Sequence, residues 1–81
     1  MSRKTQLAII IPCFNEELVI EYTVKRLLEV LKDLVNKEKI SQTSYIYLVD
    51  DGSVDKTWEI IENLHANNNE QVKGLKFVRN Y

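Results

Sequence analysis

Residues 47–61 read YLVDDGSVDKTWEII. The aromatic and β-branched run from Tyr45 to Val49 (YIYLV) has the composition of a short strand. Asp50, Asp51 and Gly52 follow it without a spacer, and apolar residues at helical spacing come next. Ser53 is placed to cap a second helix whose buried stripe would be Val54, Trp58, Ile61 and Leu64, ending before the NNNE run at 67–70. A strand that hands over to a helix through a polar turn is the unit from which parallel sheets are built.

Upstream, Leu7 to Ile11 is a continuous apolar run closed by Pro12, as in a strand covered on both faces. Asn15 is then placed to cap a first helix with Glu16 and Glu17 in its first turn, where acids complement the positive end of the helix dipole. Ile20, Val24, Leu27, Leu31, Leu34 and Val35 recur at spacings of three and four and give that helix one apolar stripe to about residue 36. Downstream, Gly74 opens a third strand, LKFV. The order strand, helix, strand, helix, strand predicts an α/β fold: a βαβαβ Rossmann-like half with a three-stranded parallel sheet in the order 3-2-1 and both helices on one face.

The chain has 81 residues, 44% hydrophobic and 28% charged, which suits one globular unit of modest core. Eleven basic and twelve acidic residues leave a net charge of -1, with no basic block of the kind that binds nucleic acid or an anionic membrane. Cys13 is the lone cysteine, which excludes an internal disulfide and suits a buried small hydrophobe at a strand end. No segment approaches the roughly 20 apolar residues of a membrane span.

With both helices on one face, the other face of the sheet is bare, although LAIIIP is apolar on both sides of its pleat. Residues 1–81 are therefore expected to be the N-terminal part of a larger, incomplete domain. By itself the chain is expected to self-associate through an exposed strand edge or the bare face.

Ligands of open α/β sheets bind beyond the carboxyl ends of the strands. Two loops qualify: PCFNEE offers the flat ring of Phe14 with Asn15 and Glu16, and VDDGS offers two carboxylates and a glycine. Gly52 and Gly74 are the only glycines, which excludes a phosphate-cradling P-loop or a GxGxxG fingerprint. A nucleotide would then be held by its base and ribose, and Asp51 is the candidate acceptor for their N–H and O–H groups. The competing account makes Asp50 and Asp51 turn or cap residues, Glu16 a dipole partner, and Phe14 a packing residue. His65 reads as a surface residue near a helix end and Trp58 as core. The Asp pair alone is a poor metal site, because adjacent side chains diverge and a hard cation wants more oxygens. A receiver or flavodoxin-like domain shares the element order, but would place its acidic cluster or phosphate loop after strand 1.

AIIIPCFNEE, then YLVDDGSVDKTWEII about 30 residues later, then LKFVRN, resembles the N-terminal third of family-2 glycosyltransferases of the GT-A fold. Within that family it looks most like the polyprenyl-phosphate glycosyltransferases, such as dolichol-phosphate mannose synthases and bactoprenol glucosyltransferases. The resemblance covers nearly the whole chain. It implies binding of a UDP- or GDP-sugar, with Pro12, Phe14 and Glu16 contacting base and ribose, Val49 and Asp51 closing the base pocket, and Asp50 structural. It implies transfer of the sugar to a polyprenyl phosphate or saccharide at the cytoplasmic face of the membrane. The family's Asp-x-Asp, which holds Mg²⁺ or Mn²⁺ against the diphosphate, would lie downstream, so residues 1–81 are expected to hold neither metal nor catalytic groups and to be inactive alone. The alternative reading is a stand-alone binding or interaction module without catalysis.

Overall fold

The computed structural model describes residues 4–77. Its elements are β1 (Ala8–Cys13), α1 (Ile20–Asn36), β2 (Tyr45–Asp50), α2 (Thr57–Asn67) and β3 (Val72–Lys76). The three strands are parallel in the order β1-β2-β3, with β2 central. This is the α/β half-fold that the sequence pattern predicts.

Register decides which side chains share a face. Ile9, Ile46 and Val72 lie abreast, then Ile11, Leu48 and Gly74, then Cys13, Asp50 and Lys76. This face meets the helices: Ile46, Leu48, Val72 and Cys13 form one buried cluster with Ile20, Val24 and Leu31 of α1 and Ile61 and Leu64 of α2. The stripe read from the sequence of α1 is therefore its core side. Gly74 belongs to the packing, because a Cβ there would stand 2.6 Å from Ile61 Cγ2. The opposite face carries Ala8, Ile10 and Pro12, Tyr45, Tyr47 and Val49, and Lys73 and Leu75. Ile10 is 67% exposed there.

Four expected boundaries are corrected. Pro12 does not end the first strand; it pairs with Val49 inside β1. The carbonyls of Leu7 and Cys13 accept from Tyr45 and Asp51, so the odd-numbered residues of β1 direct their backbone groups to β2. Pro12, an even position, turns its missing N–H to the free edge, where proline costs no ladder bond. The first helix begins at Ile20 rather than beside Asn15, and Glu21 is the acid of its first turn. The second begins at Thr57, so Val54 lies in the loop, 89% exposed, and not on the buried stripe. The third strand starts at Val72, two residues before Gly74, because fully buried Val72 already pairs with Ile46. Val78, the last residue of LKFV, lies outside the described residues.

Candidate functional site

The carboxyl ends of β1 and β2 each run into a polar loop, and hydrogen bonds tie the two loops together. The ladder continues one step past the strands, from Asp51 N–H to the Cys13 carbonyl at 2.9 Å. Beyond it, the backbone N–H groups of Asn15, Glu16 and Glu17 find no ladder partner. Each donates to a side chain of the second loop: Asn15 to Ser53 Oγ at 2.9 Å, Glu16 to Thr57 Oγ1 at 2.8 Å, and Glu17 to Asp55 Oδ2 at 3.3 Å. The Asn15 side chain answers, its Oδ1 accepting from Val54 N–H at 3.0 Å. Asn15 takes a left-handed φ of 51°, which asparagine tolerates better than most residues.

This network explains the helix starts. Asn15 does not cap α1, because its side chain is committed across to the second loop, and α1 begins from the Glu16 carbonyl, which accepts from Val19 and Ile20 N–H. Ser53 does not cap α2. Its N–H and hydroxyl both donate to Asp50 Oδ1, while its oxygen receives Asn15 N–H. Asp55, one residue before the Lys56 cap position, instead makes a local turn, accepting from Thr57 N–H at 2.9 Å and from the Thr57 hydroxyl. Desolvation alone would raise the Asp55 carboxyl, but hydrogen bonds from the Thr57 hydroxyl and from the N–H groups of Thr57 and Glu17 outweigh it and hold its pKa below the ordinary value. Between the loops Gly52 adopts φ 79°, a conformation that favours glycine.

Pro12 and Val49 are register partners on the face that the helices leave open. Asp51 is the first residue past β2, half-buried, and its N–H is fixed to the end of β1. Phe14 directly follows β1 and is 51% exposed. Glu16 lines a small cleft of about 130 Å³ with Pro12, Cys13 and the first turns of α1. The five residues thus gather at one end of the sheet, with Glu16 toward the α1 side and Pro12 and Val49 on the open face. Asp50 faces the other way, fully buried on the helix side and holding Ser53. Its Oδ2 has no hydrogen-bond partner among the described residues.

Cys13 is 2% exposed, and burial, the charge of Glu16 and the charge of Asp50, in that order, raise its thiol from 9.0 to about 11. Trp58 is half-buried against the core, with Lys76 Nζ 5.9 Å from its ring centre. His65 does more than decorate a helix end: its Nδ1 lies 2.7 Å from the Val72 carbonyl, so this nitrogen carries the proton and ties α2 to the start of β3. Reading the sequence alone misses Asp55 and Thr57. The available signal was Ser53-x-Asp55-x-Thr57, small polar side chains on alternate positions of a loop, the last of them a buried threonine at a helix start. Among the described residues, no group of three or more His, Cys, Asp or Glu side chains could hold a metal ion. No described helix is long and apolar enough to cross a membrane.

The glycosyl transferase family 2 profile matches residues 8–81. The chain is 45% identical over 74 residues to the uncharacterized glycosyltransferase YkoT of Bacillus subtilis, covering 91% of this chain and 22% of that protein. It is 37% identical over 81 residues to the uncharacterized glycosyltransferase YkcC of the same organism, covering 100% of this chain and 23% of that one. It is 41% identical over 76 residues to the uncharacterized glycosyltransferase sll0501 of Synechocystis, covering 94% and 22%. The chain thus spans under a quarter of the length of these relatives. No solved structure matches it. With its parallel half-sheet, its paired loops and a family match that runs through both, the chain belongs to glycosyl transferase family 2.

Proposed function

We propose that residues 1–81 form the nucleotide-sugar-binding part of a glycosyltransferase, in which the two loops hold the nucleoside of a UDP- or GDP-sugar. The observation that carries this reading is the convergence of Pro12, Phe14, Glu16, Val49 and Asp51 at the carboxyl end of a parallel sheet in a family 2 chain. The ring of Phe14 offers a base a flat apolar surface, and the Asp51 carboxylate accepts from a base N–H or a ribose hydroxyl. Pro12 and Val49 supply the apolar floor. Glu16, from the α1 side, meets the ribose.

The same proposal extends to the whole protein: transfer of a hexose to a polyprenyl phosphate or a saccharide, at the cytoplasmic face of a membrane, in building a cell-envelope polysaccharide. Among the described residues no group of three or more His, Cys, Asp or Glu side chains could hold a metal ion. The Mg²⁺ or Mn²⁺ of such a transferase is assigned to an Asp-x-Asp outside them.

Titration of the ¹⁵N-labelled chain with UDP and with GDP, each with and without Mg²⁺, tests the reading. Amide shifts confined to Phe14, Glu16 and Asp51 and their loop neighbours, largely independent of metal, are expected. Asp51→Ala should weaken binding by about tenfold or more, the scale of one hydrogen bond to a charged group, ~1.5–3 kcal/mol. A folded chain that shifts with neither nucleotide, or an Asp51→Ala variant that binds as tightly as the parent, would remove the nucleoside assignment.

A further inference from the structure

Loop segments that contact ligands are ordinarily the least restrained part of a fold, because their backbone groups lack ladder partners. Here the opposite holds. Three consecutive N–H groups, of Asn15, Glu16 and Glu17, are each taken by a side-chain oxygen 38 to 41 residues away in sequence. The three acceptors are themselves held. Ser53 is fixed by Asp50, and Asp55 and Thr57 by each other, with Thr57 fully buried at the root of α2. The return bond from Val54 N–H to Asn15 Oδ1 closes the ring.

We propose that Ser53, Asp55 and Thr57 are positioning residues for the nucleoside site: they do not touch the ligand, but lock residues 15–17 onto the second loop so that Phe14 and Glu16 face the ligand in fixed register with Asp51. This role rests on the nucleoside reading above. Its physical content is pre-organisation. A loop already held in its binding conformation loses little conformational freedom when the ligand arrives, and affinity rises by the amount so saved. Thr57 opens α2 and Ser53 is held by Asp50 at the end of β2, so the packing of α2 on the sheet reaches the first loop through Thr57. Asp55 serves both loops at once, since Oδ1 holds Thr57 and Oδ2 holds Glu17.

Hydrogen exchange and nucleotide titration, run on one set of variants, test the proposal. Ser53→Ala removes the acceptor for Asn15, and Thr57→Val removes the acceptor for Glu16 while keeping the volume. Ser53→Thr and Thr57→Ser keep the hydroxyls. In the ligand-free chain, Ser53→Ala and Thr57→Val should speed amide exchange at Asn15 and Glu16 by roughly five- to tenfold, the loss of one hydrogen bond. Exchange at Ile61 and Leu64, inside α2, should not change, and the conservative variants should restore protection. UDP or GDP affinity should fall several-fold in the first pair and recover in the second.

Unchanged protection at residues 15–17 would show that the lock does not exist. Lost protection with unchanged affinity would show that it exists without positioning the ligand, and either result overturns the proposal. Should Thr57→Val also speed exchange throughout α2, the Ser53 pair, which is outside the core, decides. If the parent chain shows the lock but binds neither nucleotide, the nucleoside reading fails and the positioning role falls with it, while the exchange data still report the lock.

Discussion

A thiol 2% exposed beside two carboxylates is a poor nucleophile. The Cys13 pKa of about 11 against an ordinary 9.0 means that at pH 8 the folded chain holds about 100-fold less thiolate than the unfolded one. Iodoacetamide should therefore modify native Cys13 at least that much more slowly than the urea-denatured chain, as mass spectrometry would read. Because the folded pKa is raised, the stability linked to it is complete below pH 9 and is lost as pH climbs through about 11. Asp50→Asn should lower the thiol pKa only slightly, since burial and then Glu16 contribute more. Asp55 carries the opposite sign. Its folded pKa is depressed, so its contribution is present above the ordinary 3.8 and is lost as pH falls through the folded value. On acidification below pH 4, the amide of Glu17 should lose protection before those of β2, and Asp55→Asn should abolish that pH dependence.

At the scale of elements, α2 lies tightly against β3 at Gly74. Gly74→Ala drives a methyl to 2.6 Å from Ile61 Cγ2, and relief requires α2 to move. A loss of about 1–3 kcal/mol is expected in urea unfolding. In a double-mutant cycle with Ile61→Ala, the pair should cost less than the sum of the singles, since the second change removes the atom that the first strikes. A Gly74→Ala chain as stable as the parent would mean that the helix has room to shift. The elements themselves were legible in the sequence, because a two-residue or a 3.6-residue period records which side of an element is buried. Ile20, Val24 and Leu31 announce the core side of α1 by spacing alone. Helix starts were not legible. Asn15 and Ser53 look like caps for the residues that follow them, and local chemistry permits it, but each is claimed by a partner 38 or 39 positions away. The same blindness hid Asp55 and Thr57, whose bonds to Glu17 and Glu16 exist only after the two strands have paired. Pro12 misled for a related reason: proline ends a strand only when its nitrogen would face a neighbour, and that depends on which edge is free.

For the molecule as a whole, the unequal faces of the sheet dominate. The helix face is closed by a continuous core, whereas the other shows Ile10, Leu75, Val49 and two tyrosines whose ring centres lie 6.4 Å apart. Lys73, with Nζ 4.5 Å from the Tyr45 ring centre, shields only one end of it. A chain of this size buries roughly 60% of its unfolded surface, so covering this face adds appreciably to stability. The isolated chain is predicted to associate with rising concentration by light scattering, and Ile10→Lys with Leu75→Lys should return it to monomer without disturbing the helix-side core. A parent chain that stays monomeric at every concentration would show that the exposed apolar surface is tolerated.

Pro12 has a consequence for anything laid along the outer side of β1. Ala8 and Ile10 offer that side both a donor and an acceptor, but Pro12 offers a carbonyl only. A neighbouring strand therefore meets two complete pairing positions and then an imide nitrogen with no proton to give. Its own carbonyl at that level must turn to water or to a bound molecule. Pairing from this side comes apart at the end that carries the two loops, and one missing proton keeps that end from being zipped shut.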